Sequence, residues 1–188
     1  MVSLVSFTIA YTVGLTVYGA AIGSPLTFLY AGINTGLFIL FALLHRMMRW
    51  SLPALWAASL VGLGNMLGGV LLVDGQTLYL TNVIGPIGYD KLFHFAAAAG
   101  MSPVALEAVR RSLERPSGTF GVVLITWLVV NGGGAVVEIA EFIGASIGEV
   151  NVGDYANNAL DLVANASGAA LGVGLLVIAE RRRDTGVG

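Results

Sequence analysis

Three short stretches of this chain carry titratable or amide side chains at helical spacing within otherwise apolar sequence. In Tyr89-Asp90-Lys91-Leu92-Phe93-His94, Asp90 precedes His94 by four residues and Lys91 precedes it by three. Glu138 and Glu141 are three apart, and Asp154, Asn158, Asp161 and Asn165 follow a four, three, four rhythm, with Asn157 beside them. Residues three and four apart share one face of a helix, so each stretch presents a single polar face. An imidazole with several carboxylates and no thiolate suits a divalent transition metal such as Zn²⁺, Mn²⁺ or Fe²⁺. His94, Glu138, Glu141 and Asp161 are the candidate ligands. The same groups can relay protons, and Lys91 is the counter-ion that lets several carboxylates coexist.

The elements that must position these residues are membrane spans. Hydrophobic residues make up 56% of the 188, and charged residues only 11%, against about 25% in a typical soluble domain. Six apolar segments are long enough to cross a bilayer, at approximately 4–22, 26–44, 53–73, 88–109, 119–147 and 155–179. The expected fold is therefore all-α: a polytopic membrane protein with six transmembrane helices in one bundle, forming a single domain over residues 1–188. Ser24-Pro25 and Ser51-Leu52-Pro53 mark helix starts, and Asp74-Gly75 and Gly85-Pro86 mark turns in the connection 74–88.

Eight of the nine basic residues follow the even-numbered segments: Arg46 and Arg49; Arg110, Arg111 and Arg115; Arg181, Arg182 and Arg183. The positive-inside rule places those ends, and both termini, in the cytoplasm of a cell-membrane protein. The three polar stretches then fall in the outer half of the bilayer. His94, Glu141 and Asp161 each lie six residues from the outer end of their segment, roughly 9 Å deep at 1.5 Å per residue. A charge at mid-membrane costs about 2.5–3.5 kcal/mol on insertion scales, so such residues pair with one another or mark function.

Several features take plainer readings. Gly64 and Gly68, Gly144 and Gly148, and Gly168 and Gly172 are small-xxx-small pairs that suit close packing within the chain better than dimerisation. Asn131-Gly132-Gly133-Gly134 interrupts the fifth segment just before its glutamates without forming a phosphate loop. His45, Trp50, Tyr79 and Tyr89 fit the membrane interface. A net charge of −2 with no basic face excludes nucleic acid as a partner, and the absence of cysteine excludes disulfides, thiolate metal sites and a cysteine nucleophile.

Tyr89-Asp90-Lys91-Leu92-Phe93-His94-Phe95, then Glu138-Ile139-Ala140-Glu141, then Gly153-Asp154 with Asp161 and Asn165 leading into Gly168-Ala169, resemble the VanZ-like and YjdF-type membrane proteins. The resemblance covers about residues 89–172. It implies a site at Asp90, Lys91, His94, Glu138, Glu141, Asp154, Asp161, Asn165 and Gly168. Phe142 stands where YjdF-type members tend to carry tryptophan, and Tyr155-Ala156-Asn157 where they carry Trp-Asp-Thr.

Three functional readings follow. The first is a metal-dependent hydrolase or transferase acting on a lipid-linked or amphipathic small molecule, with a free carboxylate as general base. The second is a proton-coupled transporter in which Glu138 and Glu141 share protons with His94; the chain shows no inverted repeat, and a homo-oligomer would have to supply symmetry. The third is a structural or accessory protein whose polar cluster glues helices together.

Overall fold

The computed structural model of the chain describes residues 1–113, 119–147 and 155–184. Six helices are long and apolar enough to cross a membrane: α1 (Val2–Ala21), α2 (Thr27–Met48), α3 (Leu52–Val70), α4 (Tyr89–Ser112), α5 (Thr119–Ile147) and α6 (Tyr155–Asp184). Their outward-facing residues are apolar, including Val13 and Val17 on α1, Ile39 and Leu43 on α2, Val136 and Ile139 on α5, and Leu160 and Val163 on α6. Exposed aliphatic side chains beside buried polar ones invert the pattern of a water-soluble helix. That inversion is what a hydrocarbon solvent selects, because each helix satisfies its own backbone and turns its polar groups away from lipid.

The chain forms two compact units, Met1–Phe93 and His94–Gly188, and α4 runs from one into the other. In the first unit α1, α2 and α3 pack together. Ser51 caps α3 by accepting a hydrogen bond from the Ala54 amide at 3.3 Å, with Pro53 in the first turn, as the serine-proline pattern predicts. The Ser24-Pro25 expectation is displaced: α2 begins at Thr27, and Thr27 Oγ1 donates to the Ser24 carbonyl at 3.0 Å instead. Helix α3 stops at Val70 rather than 73, because Leu72–Val73 is the strand β1, paired antiparallel with β2 (Gln76–Thr77). Asp74 and Gly75 both take positive φ, the primed-turn geometry that Asp-Gly favours. A turn of 3₁₀ helix, Leu78–Leu80, leads to a second hairpin, β3 (Asn82–Ile84) with β4 (Ile87–Gly88), turned at Gly85-Pro86.

Small residues set the packing here. A Cβ on Gly68 would lie 2.5 Å from the Tyr79 ring, and one on Gly64 would lie 3.1 Å from the Phe93 ring. Tyr79 in turn stacks on Tyr30 and meets Tyr89 and Phe93 edge-on. Tyr79 and Tyr89 thus belong to a packed aromatic cluster, with their hydroxyls bonded to Asn65 Oδ1 and the Gly64 carbonyl, both at 2.8 Å. Trp50, expected at the interface, is buried against Phe41.

In the second unit Ala98, Ala105, Val130 and Ala169 form a small apolar core with Trp127 packed on it. The Trp127 indole donates to the Ala166 carbonyl at 3.0 Å, tying α5 to α6. Helices α4 and α6 approach closely at Gly168 and Gly172: a Cβ on Gly168 would meet the backbone of Phe95, and one on Gly172 the backbone of Ala99. Both glycines therefore serve packing within the chain. Gly148 lies outside the described residues.

Candidate polar site in the membrane

Three helices of the second unit deliver polar side chains to one buried point. Helix α4 supplies His94, α5 supplies Glu138, and α6 supplies Asp161 and Asn165; all four are at most 6% exposed. Their chain neighbours Ile139, Leu160, Leu162 and Val163 are exposed apolar residues, so each helix turns its polar face inward as the spacing predicts. On α6 the buried residues Asp161, Asn165, Gly168, Ala169, Gly172 and Val173 form one continuous stripe.

The His94 ring is held from both sides. Its Nδ1 lies 3.3 Å from Asn165 Oδ1. Its Nε2 lies 3.5 Å from Glu138 Oε1 and 3.9 Å from Asp161 Oδ1. The other oxygen of Asp161 accepts a hydrogen bond from Asn157 Nδ2 at 2.9 Å, one turn earlier on α6. With the Asn165 oxygen accepting, the Nδ1 position carries the proton and the Nε2 lone pair points toward two carboxylates. Two carboxyl groups beside one ring nitrogen in a water-poor interior favour a proton shared among them, or a cation between them.

Asn165 is itself wedged in place. A Cβ on Gly134 would stand 2.6 Å from Asn165 Nδ2 and 2.8 Å from its Cγ. The last glycine of the Asn131–Gly134 run is therefore where α5 makes room for the amide that orients His94. Gly132 and Gly133 have no heavy atom within 4 Å of a Cβ position, so the three glycines differ in what they do.

The remaining candidates are placed as follows. Asp90 lies one turn before His94 on α4, and the two offer ligand atoms within 4.8 Å of each other. Lys91 Nζ pairs with Asp90 Oδ2 at 2.9 Å. Glu141 is half-buried, one turn beyond Glu138 on α5. Asp154 lies outside the described residues. Asn157, rather than the Asn158 of the expected stripe, bonds Asp161.

A second polar cluster, in the first unit, was not anticipated from sequence. Asn34 on α2, 3% exposed, donates to Thr12 Oγ1 at 2.8 Å and lies 3.5 Å from the Tyr11 hydroxyl. Tyr11 donates to the Ser59 carbonyl, and Ser59 Oγ is 2.7 Å from Thr8 Oγ1. These groups are uncharged and mutually bonded, an arrangement that clamps α1, α2 and α3 without offering a reacting group. A lone asparagine facing one polar stripe, Thr8-Thr12, was the only signal in the sequence.

No curated protein and no solved structure matches the chain. A family model described as predicted membrane protein (DUF2238) matches residues 3–182, nearly the whole chain. A multi-pass helical chain with a buried His-carboxylate-amide cluster, matched over that length, belongs to the DUF2238 family of membrane proteins.

Proposed function

We propose that this membrane protein holds a divalent transition-metal ion at His94 and Asp161, with the Glu138 carboxylate beside them, and uses it for hydrolysis or group transfer on a lipid-linked or amphipathic small molecule. The observation that carries this reading is the two-sided hold on His94. An imidazole with Nδ1 beside an amide oxygen and Nε2 facing carboxylates has the placement of a metal ligand whose other ring nitrogen is held by an outer partner. Glu141 is the candidate general base. An ion there would polarise a carbonyl or phosphoryl oxygen and lower the pKa of bound water. The arginine distribution supports an outer-leaflet site, cytoplasmic termini and residence in the cell membrane, and the DKxxHF, glutamate and D…D…N…GA stretches support kinship with VanZ-like proteins.

Protein purified gently without chelator tests this reading. About one equivalent of metal is expected, falling sharply in His94→Ala and Asp161→Asn. Wild-type protein that binds no Zn²⁺, Mn²⁺ or Fe²⁺ on challenge refutes it.

The contacts at 3.5 and 3.9 Å also favour a second reading, in which His94 shares a proton with Glu138 and Asp161 and the chain is a proton-coupled transporter. Proton uptake or release by metal-free protein, abolished in Glu138→Gln, distinguishes the two.

A further inference from the structure

The connection between α3 and α4 contains two hairpins of opposite chemistry. The first turns at Asp74-Gly75, next to Gln76, and its tip is polar and exposed. The second turns at Gly85-Pro86, and Val83, Ile84 and Ile87 around that turn are 51%, 59% and 44% exposed, with Leu80 close by at 55%. From Gly75 to Tyr89 there is no charged residue. An aqueous loop gains nothing from presenting four large aliphatic side chains and no charge, and contiguous exposed apolar groups mark contact surfaces.

We propose that the β3–β4 hairpin is seated in the headgroup–acyl boundary of the bilayer, as a short interfacial anchor, while the β1–β2 tip stays in water. Lipid is the occupant because the hairpin is continuous with two spans. The backbone amide of Tyr89, the first residue of α4, donates to the Thr81 carbonyl at 2.9 Å, fixing the hairpin to the mouth of that helix. Antiparallel pairing of Asn82 with Gly88 and of Ile84 with Ile87 satisfies backbone groups that would otherwise be costly to desolvate.

The chain has no cysteine, so a single environment-sensitive fluorophore can be attached at Ile84→Cys or at Gln76→Cys in proteoliposomes of phosphatidylcholine and phosphatidylglycerol. The label at residue 84 should emit at shorter wavelength. It should be quenched by a spin label placed shallowly on the lipid chain, and several-fold less by iodide than the label at residue 76. Val83→Cys repeats the measurement if labelling at 84 disturbs the fold. Equal iodide quenching at the two tips overturns the proposal. So does protection at residue 84 that disappears as protein is diluted in lipid, or that accompanies 84-to-84 crosslinking, because a second copy of the chain would then be the cover.

Discussion

Gly168→Ala reaches the polar site without touching any of its functional groups. An alanine Cβ at 168 would fall on the backbone of Phe95, 2.8 Å from its carbonyl carbon and 2.9 Å from its Cα, with the carbonyl oxygen closer still. Backbone cannot swing aside as a flexible side chain can. Restoring ordinary contact with that oxygen, at 3.4 Å or more, moves α6 from α4 by more than about 1 Å. The His94 Nδ1 to Asn165 Oδ1 contact bridges those two helices one turn away and is already 3.3 Å long. Widened by that amount it passes beyond hydrogen-bonding distance, and the imidazole loses the partner that fixes its tautomer. The overpacking should cost about 1–3 kcal/mol of stability, and loss of the outer partner about 10- to 100-fold in metal affinity. Gly174→Ala on the same helix is the control, since a Cβ there has no heavy atom within 4 Å. Thermal unfolding in detergent, with metal binding measured on the fraction still folded, compares the two. If Gly168→Ala unfolds and binds metal like Gly174→Ala, the close α4–α6 approach is not what positions His94.

Other outcomes follow from the same geometry. Asn34→Ala should destabilise the first unit by about 0.6–1.7 kcal/mol, the range for interhelical hydrogen bonds in membranes, and leave metal binding unchanged; thermal unfolding and metal titration of the variant check both. The Arg110–Glu180 pair is bidentate but exposed, so Arg110→Ala should cost less than about 1 kcal/mol, and less again in high salt. Cysteine at Gln76 should react with an impermeant thiol reagent outside intact cells, and cysteine at Ser112 only after permeabilisation; the reverse pattern overturns the orientation. Asn165→Leu should keep the helices together, because the side chain is similar in size, yet lower metal affinity measurably; unchanged affinity would show that the amide does not orient the imidazole.

The spans were legible because lipid imposes a coarse rule: about 20 apolar residues per crossing, with arginines after alternate segments. Helix ends were less so. Leu72 and Val73 continue the apolar run of α3 but pair with Thr77 and Gln76, and only the Asp74-Gly75 turn two residues later hints at that. The polar stripe on α6 was readable from the spacing of Asp161 and Asn165. The approach of Glu138 to the His94 ring was not, because equal depth along a helix does not specify rotation about its axis. The roles of Gly134 and Gly168 were likewise hidden: what a glycine makes room for lies on another helix, at Asn165 in one case and Phe95 in the other.

X-ray absorption at the metal edge, on protein purified without chelator, tests the central claim most directly. The account predicts a first shell of nitrogen and oxygen donors at about 2.0–2.2 Å, with outer-shell scattering from one imidazole that disappears in His94→Gln. Metal whose spectrum is unchanged in His94→Gln, or protein that carries no metal at all, would contradict it.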